Sequence, residues 1–250
     1  MKWIKKFLQI LWRIWFFIVT AIVVILISPI LVYTLVFDKI MLFNKVKRWA
    51  ANIILFLIGF RCKTEFPENF DPSKQYMIIA NHISALDIFT MIKIFKMPFI
   101  FIGKEELAKL PIFGYFYKKT NVTVNRNSPR SRKEVYDQVE KFIKKGLSVV
   151  IYPEGKIPEE EILLHPFKNG AFRMAIEHKL PILPVVLYDH KRKFPYRWTG
   201  GSPGKVRIKI LPPIPTDKLS LEDMPDLRDL SYNLLYNELM NDKLSKNFKN

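Results

Sequence analysis

Apolar and polar positions divide the chain into two regimes. From Ile14 to Phe37 no charged side chain interrupts the run, which is long enough to cross a bilayer core of about 30 Å. A second apolar stretch, Trp49 to Phe60, is too short to span and suits an interfacial or buried helix. Ser28-Pro29 lies inside the first run, and an interior proline removes a backbone hydrogen bond and kinks or breaks a helix there. Lys2, Lys5, Lys6 and Arg13 precede the run, while Lys39, Lys45, Lys47 and Arg48 follow it. Positive charge favours the cytoplasmic side, so these symmetric flanks predict a kinked or re-entrant element with both ends on that side. The run is too long for the h-region of a removable signal peptide, and no small-residue cleavage site closes it. The expectation for residues 1–62 is a membrane-embedded helical hairpin or kinked helix pair.

Beyond Cys62 the pattern changes to short apolar runs separated by helical stretches, which predicts an α/β domain over residues 63–250. Strands are expected at Tyr76–Ala80, Pro98–Ile102, Val122–Asn125, Leu147–Tyr152, Ile182–Leu187 and Lys205–Leu211. Several are apolar on both faces, as in a central sheet covered by helices. Helical spacing is clearest in Pro129–Lys145, where Val135, Val139, Phe142 and Ile143 form one stripe and Gly146 supplies a stop. Further helices are expected at Ala85–Phe95, Asn169–His178 and Pro225–Asp242, and a Pro- and Lys-rich loop from His190 to Gly204.

The composition, 49% apolar, suffices for one full core plus an appendage. A formal charge of +17 suits an anionic partner, either nucleic acid or an acidic lipid surface. No basic helix, zinc spacing or aromatic RNA-binding signature accompanies the charge, and the apolar segment points to lipid. The single cysteine, Cys62, permits no intramolecular disulfide and no thiolate cluster. The four histidines, His82, His165, His178 and His190, show no metal-ligand spacing, so no metal is expected.

His82 follows the apolar strand Tyr76–Ala80, at a strand-to-helix junction of the kind where α/β proteins place ligands. Asp87 can reach back from the first helical turn to an imidazole nitrogen, fixing its tautomer and stabilising the imidazolium. The same residues also spell a capping box, Ser84-x-x-Asp87, which accounts for Asp87 without chemistry and leaves His82 unexplained. Glu154 and Gly155 follow another strand end, where glycine admits a ligand close to the backbone and a carboxylate can hold a hydroxyl; an ordinary turn reads the same way. Arg126 and Lys104, each just past an expected strand, are candidates for anion contact. Gly-x-Ser-x-Gly does not occur, so no serine elbow is present.

Together these segments resemble the lysophosphatidic acid acyltransferases of the glycerolipid acyltransferase family, over about Tyr76 to Pro184. The likeness is carried by Asn81-His82-x-x-x-x-Asp87 and by Gly103-Lys104-Glu105-Glu106-Leu107 with Pro111 and Gly114. It continues through Asn125-Arg126, Tyr152-Pro153-Glu154-Gly155, Phe167-Lys168-Asn169-Gly170-Ala171 and Leu180-Pro181-Ile182-Leu183-Pro184-Val185. One position departs: the family's Gly-Thr-Arg reads Gly155-Lys156-Ile157 here, and an ammonium does not reproduce a guanidinium fork.

The resemblance implies a mixed central sheet covered by helices and transfer of a fatty acyl group from an acyl thioester to lysophosphatidic acid, giving phosphatidic acid. His82 would be the base and Asp87 its orienting partner. Lys104, Asn125, Arg126, Glu154, Gly155 and Lys156 would form the acceptor site. It implies no bound cofactor, acyl-CoA or acyl carrier protein thioester as co-substrate, and a catalytic domain on the cytoplasmic face of the cell membrane. The Lys156-Ile157 departure leaves another lysolipid acceptor open. A reading from a different class is a non-catalytic membrane protein that binds anionic lipid.

Overall fold

The computed structural model describes residues 2–104, 113–124, 129–156, 159 and 162–244, with side chains for all of these except 104, 113 and 129–133. By its internal contacts the chain divides into two units. One comprises Met1–Glu65, His82–Lys96 and Leu187–Lys209; the other comprises Phe66–Asn81, Met97–Val186 and Ile210–Asn250.

The first unit opens with helix α1 (Lys2–Val36) and helix α2 (Ile40–Leu57). α1 runs unbroken through Pro29, and Ser28 Oγ donates to the Ile25 carbonyl at 2.7 Å, satisfying the acceptor that proline leaves without a donor. The chain turns instead at Phe37–Lys39, where Asp38 takes a left-handed φ of 47° and Lys39 N donates to Thr34 O at 2.7 Å. The helix pair is therefore formed by a short loop between two helices. Arg13, expected as a flanking charge, lies inside α1.

Phe16, Val19, Val23, Ile27 and Leu31 are buried on one stripe of α1, while Phe17, Ile18, Ile22, Ile25, Leu26 and Ile30 are exposed. Among the described residues α1 is the one helix long and apolar enough to cross a membrane. Strand β1 (Phe60–Glu65) follows α2 and runs parallel to β7 (Gly204–Ile210), with Phe60 opposite Gly204 and Glu65 opposite Lys209. The unit also holds α3 (Leu86–Ile94) and the short helix α7 (His190–Lys193), inside the segment expected as loop.

The second unit is built on parallel strands. β2 (Met77–Ala80) pairs with both β5 (Ser148–Ile151) and β6 (Ile182–Leu187); β3 (Phe99–Lys104) pairs with β5 and with β4 (Val122–Val124). The sheet is mixed, as expected: beside its parallel pairs, Tyr188 N donates to Arg207 O at 3.3 Å and Leu211 N to Pro184 O at 2.9 Å, the register of antiparallel strands, and Ile182 and Ile214 form an antiparallel bridge. All four residues of β2 and all six of β6 are buried, as double-sided helix cover requires. The helices are α4 (Phe113–Thr120), α5 (Pro129–Lys144), α6 (Gly170–Glu177) and α8 (Met224–Asn241). Leu227, Ser231, Leu235 and Leu239 line the buried face of α8 at every fourth position, and α8 packs on α6.

Candidate functional site

β2 delivers the chain through Asn81 to His82, and the first turn of α3 returns Asp87 to it. His82 Nδ1 lies 3.0 Å from Asp87 Oδ2. The same oxygen accepts the backbone N–H groups of Ile83 at 2.7 Å and Ser84 at 2.9 Å. An oxygen receiving two fixed N–H donors behaves as a carboxylate, so Nδ1 carries the proton donated to it and Nε2 carries the lone pair. Asp87 is fully buried and the His82 side chain is 19% exposed, so the imidazole remains reachable. The capping box is half formed: Asp87 Oδ2 accepts Ser84 N, but the Ser84 hydroxyl takes Leu86 N and not Asp87 N, so the carboxylate that meets His82 also ties down the start of α3.

Ser84 is not available as a nucleophile. Its hydroxyl donates to the Phe194 carbonyl and accepts Leu86 N at 3.1 Å. Cys62 is a poor one, since burial pushes its thiol up to about 11, although Lys93 pulls the other way.

Behind Asp87 stands a residue that the sequence placed in a loop. His190 is fully buried, and its Nε2 lies 3.0 Å from Thr90 Oγ1. The Thr90 hydroxyl contacts the Leu86 and Asp87 carbonyls, each at 3.1 Å. Its neighbour Asp189 accepts Arg207 Nε at 2.9 Å, Arg207 Nη2 at 2.9 Å and Arg192 Nη2 at 2.9 Å. These contacts anchor α7 against β7.

Both groups tie stability to pH. Burial depresses the His190 imidazole below its ordinary 6.5, although Asp87 and Asp189 favour its protonation. The unfolded chain therefore binds a proton that the folded chain refuses, and stability falls as pH drops below about 6.5. Burial alone would raise the Asp189 carboxyl, but Arg207 and Arg192 hold it down from 3.8 to about 2. Its contribution, about 2 kcal/mol, is complete above the ordinary carboxylate range and is lost as pH falls toward 2. Tm measured against pH is thus expected to fall below about pH 6.5 and more steeply below about 4. His190→Gln should flatten the first phase and leave the second; an unchanged first phase would assign it to another group.

In the second unit, Glu154 is 2% exposed and its Oε2 accepts His165 N at 2.9 Å. Gly155 takes a φ of +72°, and a Cβ there would stand 2.9 Å from Lys168 Cε and Nζ. The positive φ is what calls for glycine; the lysine lying over it presents only the flexible end of its side chain. Lys156 Nζ is held by Glu159 Oε1 at 3.0 Å, and Glu159 Oε2 by His165 Nε2 at 2.8 Å. The Lys156 ammonium that stands in the family's Gly-Thr-Arg turn is thus already paired with a carboxylate.

Beside this turn is a cavity of about 350 Å³ walled by Ile102, Val135, Ile151 and Met174, with Lys168 and Asn169 among its polar lining. Lys104 ends β3, with its side chain outside the described residues, as are Asn125, Arg126 and Ile157 altogether. Among the described residues no three His, Cys, Asp or Glu side chains are grouped to hold a metal ion.

Comparison with known proteins places residues 61–188 within the model of the family described as Acyltransferase. The chain is 28% identical over 187 residues to human 1-acyl-sn-glycerol-3-phosphate acyltransferase alpha, covering 74% of this chain and 66% of that one. It is 31% identical over 189 residues to the human beta enzyme, covering 72% and 66%. A putative 1-acyl-sn-glycerol-3-phosphate acyltransferase of Caenorhabditis elegans is 35% identical over 170 residues, covering 67% and 64%. The chain thus matches just under two thirds of these relatives' length. The crystal structure of a 1-acyl-sn-glycerophosphate (LPA) acyltransferase from Thermotoga maritima shares the fold, with a TM-score of 0.77 at 22% identity, over 96% of this chain and 97% of that one.

Proposed function

This chain belongs to the acyltransferase family, and we propose that it transfers a fatty acyl group from an acyl thioester to the free hydroxyl of lysophosphatidic acid, giving phosphatidic acid. The observation that carries the reading is the His82 Nδ1 to Asp87 Oδ2 bond of 3.0 Å, with the rest of the histidine partly exposed. That geometry makes Nε2 a general base. It takes the proton of the acceptor hydroxyl as the oxygen attacks the thioester carbonyl, and Asp87 balances the imidazolium that forms. The tetrahedral intermediate collapses by breaking the carbon–sulfur bond, and the departing thiolate recovers the proton from His82. No covalent acyl-enzyme enters the sequence, consistent with a bonded Ser84 hydroxyl and a suppressed Cys62 thiol.

Lys104, Asn125, Arg126, Glu154, Gly155 and Lys156 are the residues we assign to the acceptor. The donor is coenzyme A or acyl carrier protein thioester. The exposed apolar faces of α1 support seating of residues 1–62 in the membrane, with the rest of the chain on the cytoplasmic face. The division of labour we assign is a membrane anchor at 1–62 and an acyltransferase domain at 63–250, with β1 crossing the boundary so that Phe60–Cys62 pair with β7.

A second acceptor class is favoured by one observation: Lys156 is paired with Glu159, and Ile157 stands where the family has arginine. Both possibilities are read by giving the purified full chain mixed lysolipids with acyl-CoA or acyl carrier protein thioesters and identifying products by mass spectrometry. Phosphatidic acid is expected as the main product. Acylation of another lysolipid with lysophosphatidic acid left untouched would replace the acceptor; thioester untouched with every acceptor would overturn the enzyme reading.

A further inference from the structure

Arg13 is a cation buried in the middle of an apolar helix. It is 5% exposed. Its Nη2 donates to the Pro195 carbonyl, its guanidinium lies 4.4 Å from the centroid of the Phe194 ring, and its Nε finds no partner among the described residues. Withdrawing a charge from water and leaving one of its donors unsatisfied is unfavourable, and an apolar side chain would suit this helix better. What the guanidinium holds therefore matters more than what it contributes to packing.

The segment it holds is the one that sets the first turn of α3. The Phe194 carbonyl accepts the Ser84 hydroxyl; Ser84 N donates to Asp87 Oδ2 at 2.9 Å; and the same oxygen accepts His82 Nδ1 at 3.0 Å. The Phe194 ring is wedged between Phe16 at 4.9 Å and Trp12 at 5.4 Å, and Phe16 in turn meets Phe89 of α3 at 5.5 Å. His190, four residues before Phe194, reaches Thr90 on the next turn of α3.

We infer that Arg13 is a positioning residue for the His82–Asp87 pair: it fixes the Phe194–Pro195 backbone, which fixes Ser84 and with it the turn that presents Asp87 to His82. The inference rests on the acyl-transfer reading for its consequence in catalysis, and on hydrogen-bond geometry alone for its structural content. Gln9, one helical turn earlier, joins the same helix to the same loop through Gly200 N at 2.9 Å and Gly201 O at 3.1 Å, with no bond to the Phe194–Pro195 backbone. It separates attachment of α1 from positioning by Arg13.

The test uses the full chain in detergent micelles with Arg13→Met, Arg13→Lys, Ser84→Ala, the double variant Arg13→Met/Ser84→Ala, and Gln9→Ala as control. Arg13→Met should lower kcat about 10- to 100-fold, the scale of a misplaced catalytic group, with KM for both substrates unchanged. Arg13→Lys should recover part of the loss, since an ammonium still donates to a carbonyl, and Gln9→Ala should keep kcat. The double variant should be no more than about twofold worse than the worse single one, because both changes release the same backbone. Wild-type kcat in Arg13→Met, an equal loss in Gln9→Ala, or losses that multiply would each overturn the inference.

A readout independent of turnover is the exchange with water of the His82 Nδ1 proton, followed by NMR in chain labelled with 15N-histidine. Arg13→Met should speed it at His82 and not at His178; unchanged exchange at His82 would overturn the inference. An Arg13-dependent exchange rate in a chain that acylates nothing would refute the enzyme reading and leave the positioning role standing. If Arg13→Met does not fold, Arg13→Lys is read by the same exchange criterion.

Discussion

His82→Ala is expected to lower kcat about 10²- to 10⁴-fold while the folded state persists. The imidazole bonds Asp87 Oδ2, and that oxygen keeps its two backbone donors when the ring is gone. The ring is also partly exposed, so truncating it does not open a sealed cavity in the core. Stability should therefore change little, and the loss should sit in kcat rather than in KM, because the proton leaves the acceptor hydroxyl only as the transition state forms. Steady-state kinetics beside a thermal melt decides it: activity above about a tenth of wild type, in a protein that melts normally, would remove His82 from the mechanism.

Much of this architecture was legible where one signal dominates. Ile182–Leu187 and the strands around Met77 and Val149 are continuous apolar runs, and helix α5 shows its stripe at Val135 and Val139. β1 was missed although Arg61, Lys63 and Glu65 alternate with Phe60, Cys62 and Thr64 as in a half-buried strand, because the apolar run ending at Phe60 and the boundary expected at Cys62 cut that pattern in two, and its partner begins at Gly204. The break expected at Pro29 is absent, and a serine hydroxyl one residue away satisfies the orphaned carbonyl, which proline rules do not see.

The site divided in the same way. His82, Asp87 and Glu154 announce themselves through strand ends and spacing. Arg13 and His190 do not, because their meaning lies in contacts to Pro195 and Thr90, far away in the chain. Each reads as ordinary charge until the fold brings its partner. Buried polar groups of this kind matter through what they orient, and orientation is a property of tertiary structure.

Asp87 separates the two readings that its spacing left open. As a cap alone it would serve through its oxygen; as the partner of a base it must also serve through its charge. Asp87→Asn keeps an amide oxygen in the place of Oδ2, so the N–H groups of Ile83 and Ser84 and the Nδ1 proton of His82 still find an acceptor. Its NH₂ then falls where Oδ1 lies, buried and without a hydrogen-bond partner among the described residues, at a cost of about 1–3 kcal/mol. Asp87→Ala removes the acceptor for all three donors and should cost about 3 kcal/mol or more. Stability should thus fall in the order wild type, Asn, Ala. Activity should not follow it: the neutral amide cannot balance an imidazolium, so Asp87→Asn should lose about 10²- to 10⁴-fold in kcat despite a largely intact fold. Melting curves and kcat measured on the three proteins test both halves. An asparagine variant that melts a few degrees lower and turns over normally would make Asp87 a helix cap and nothing more.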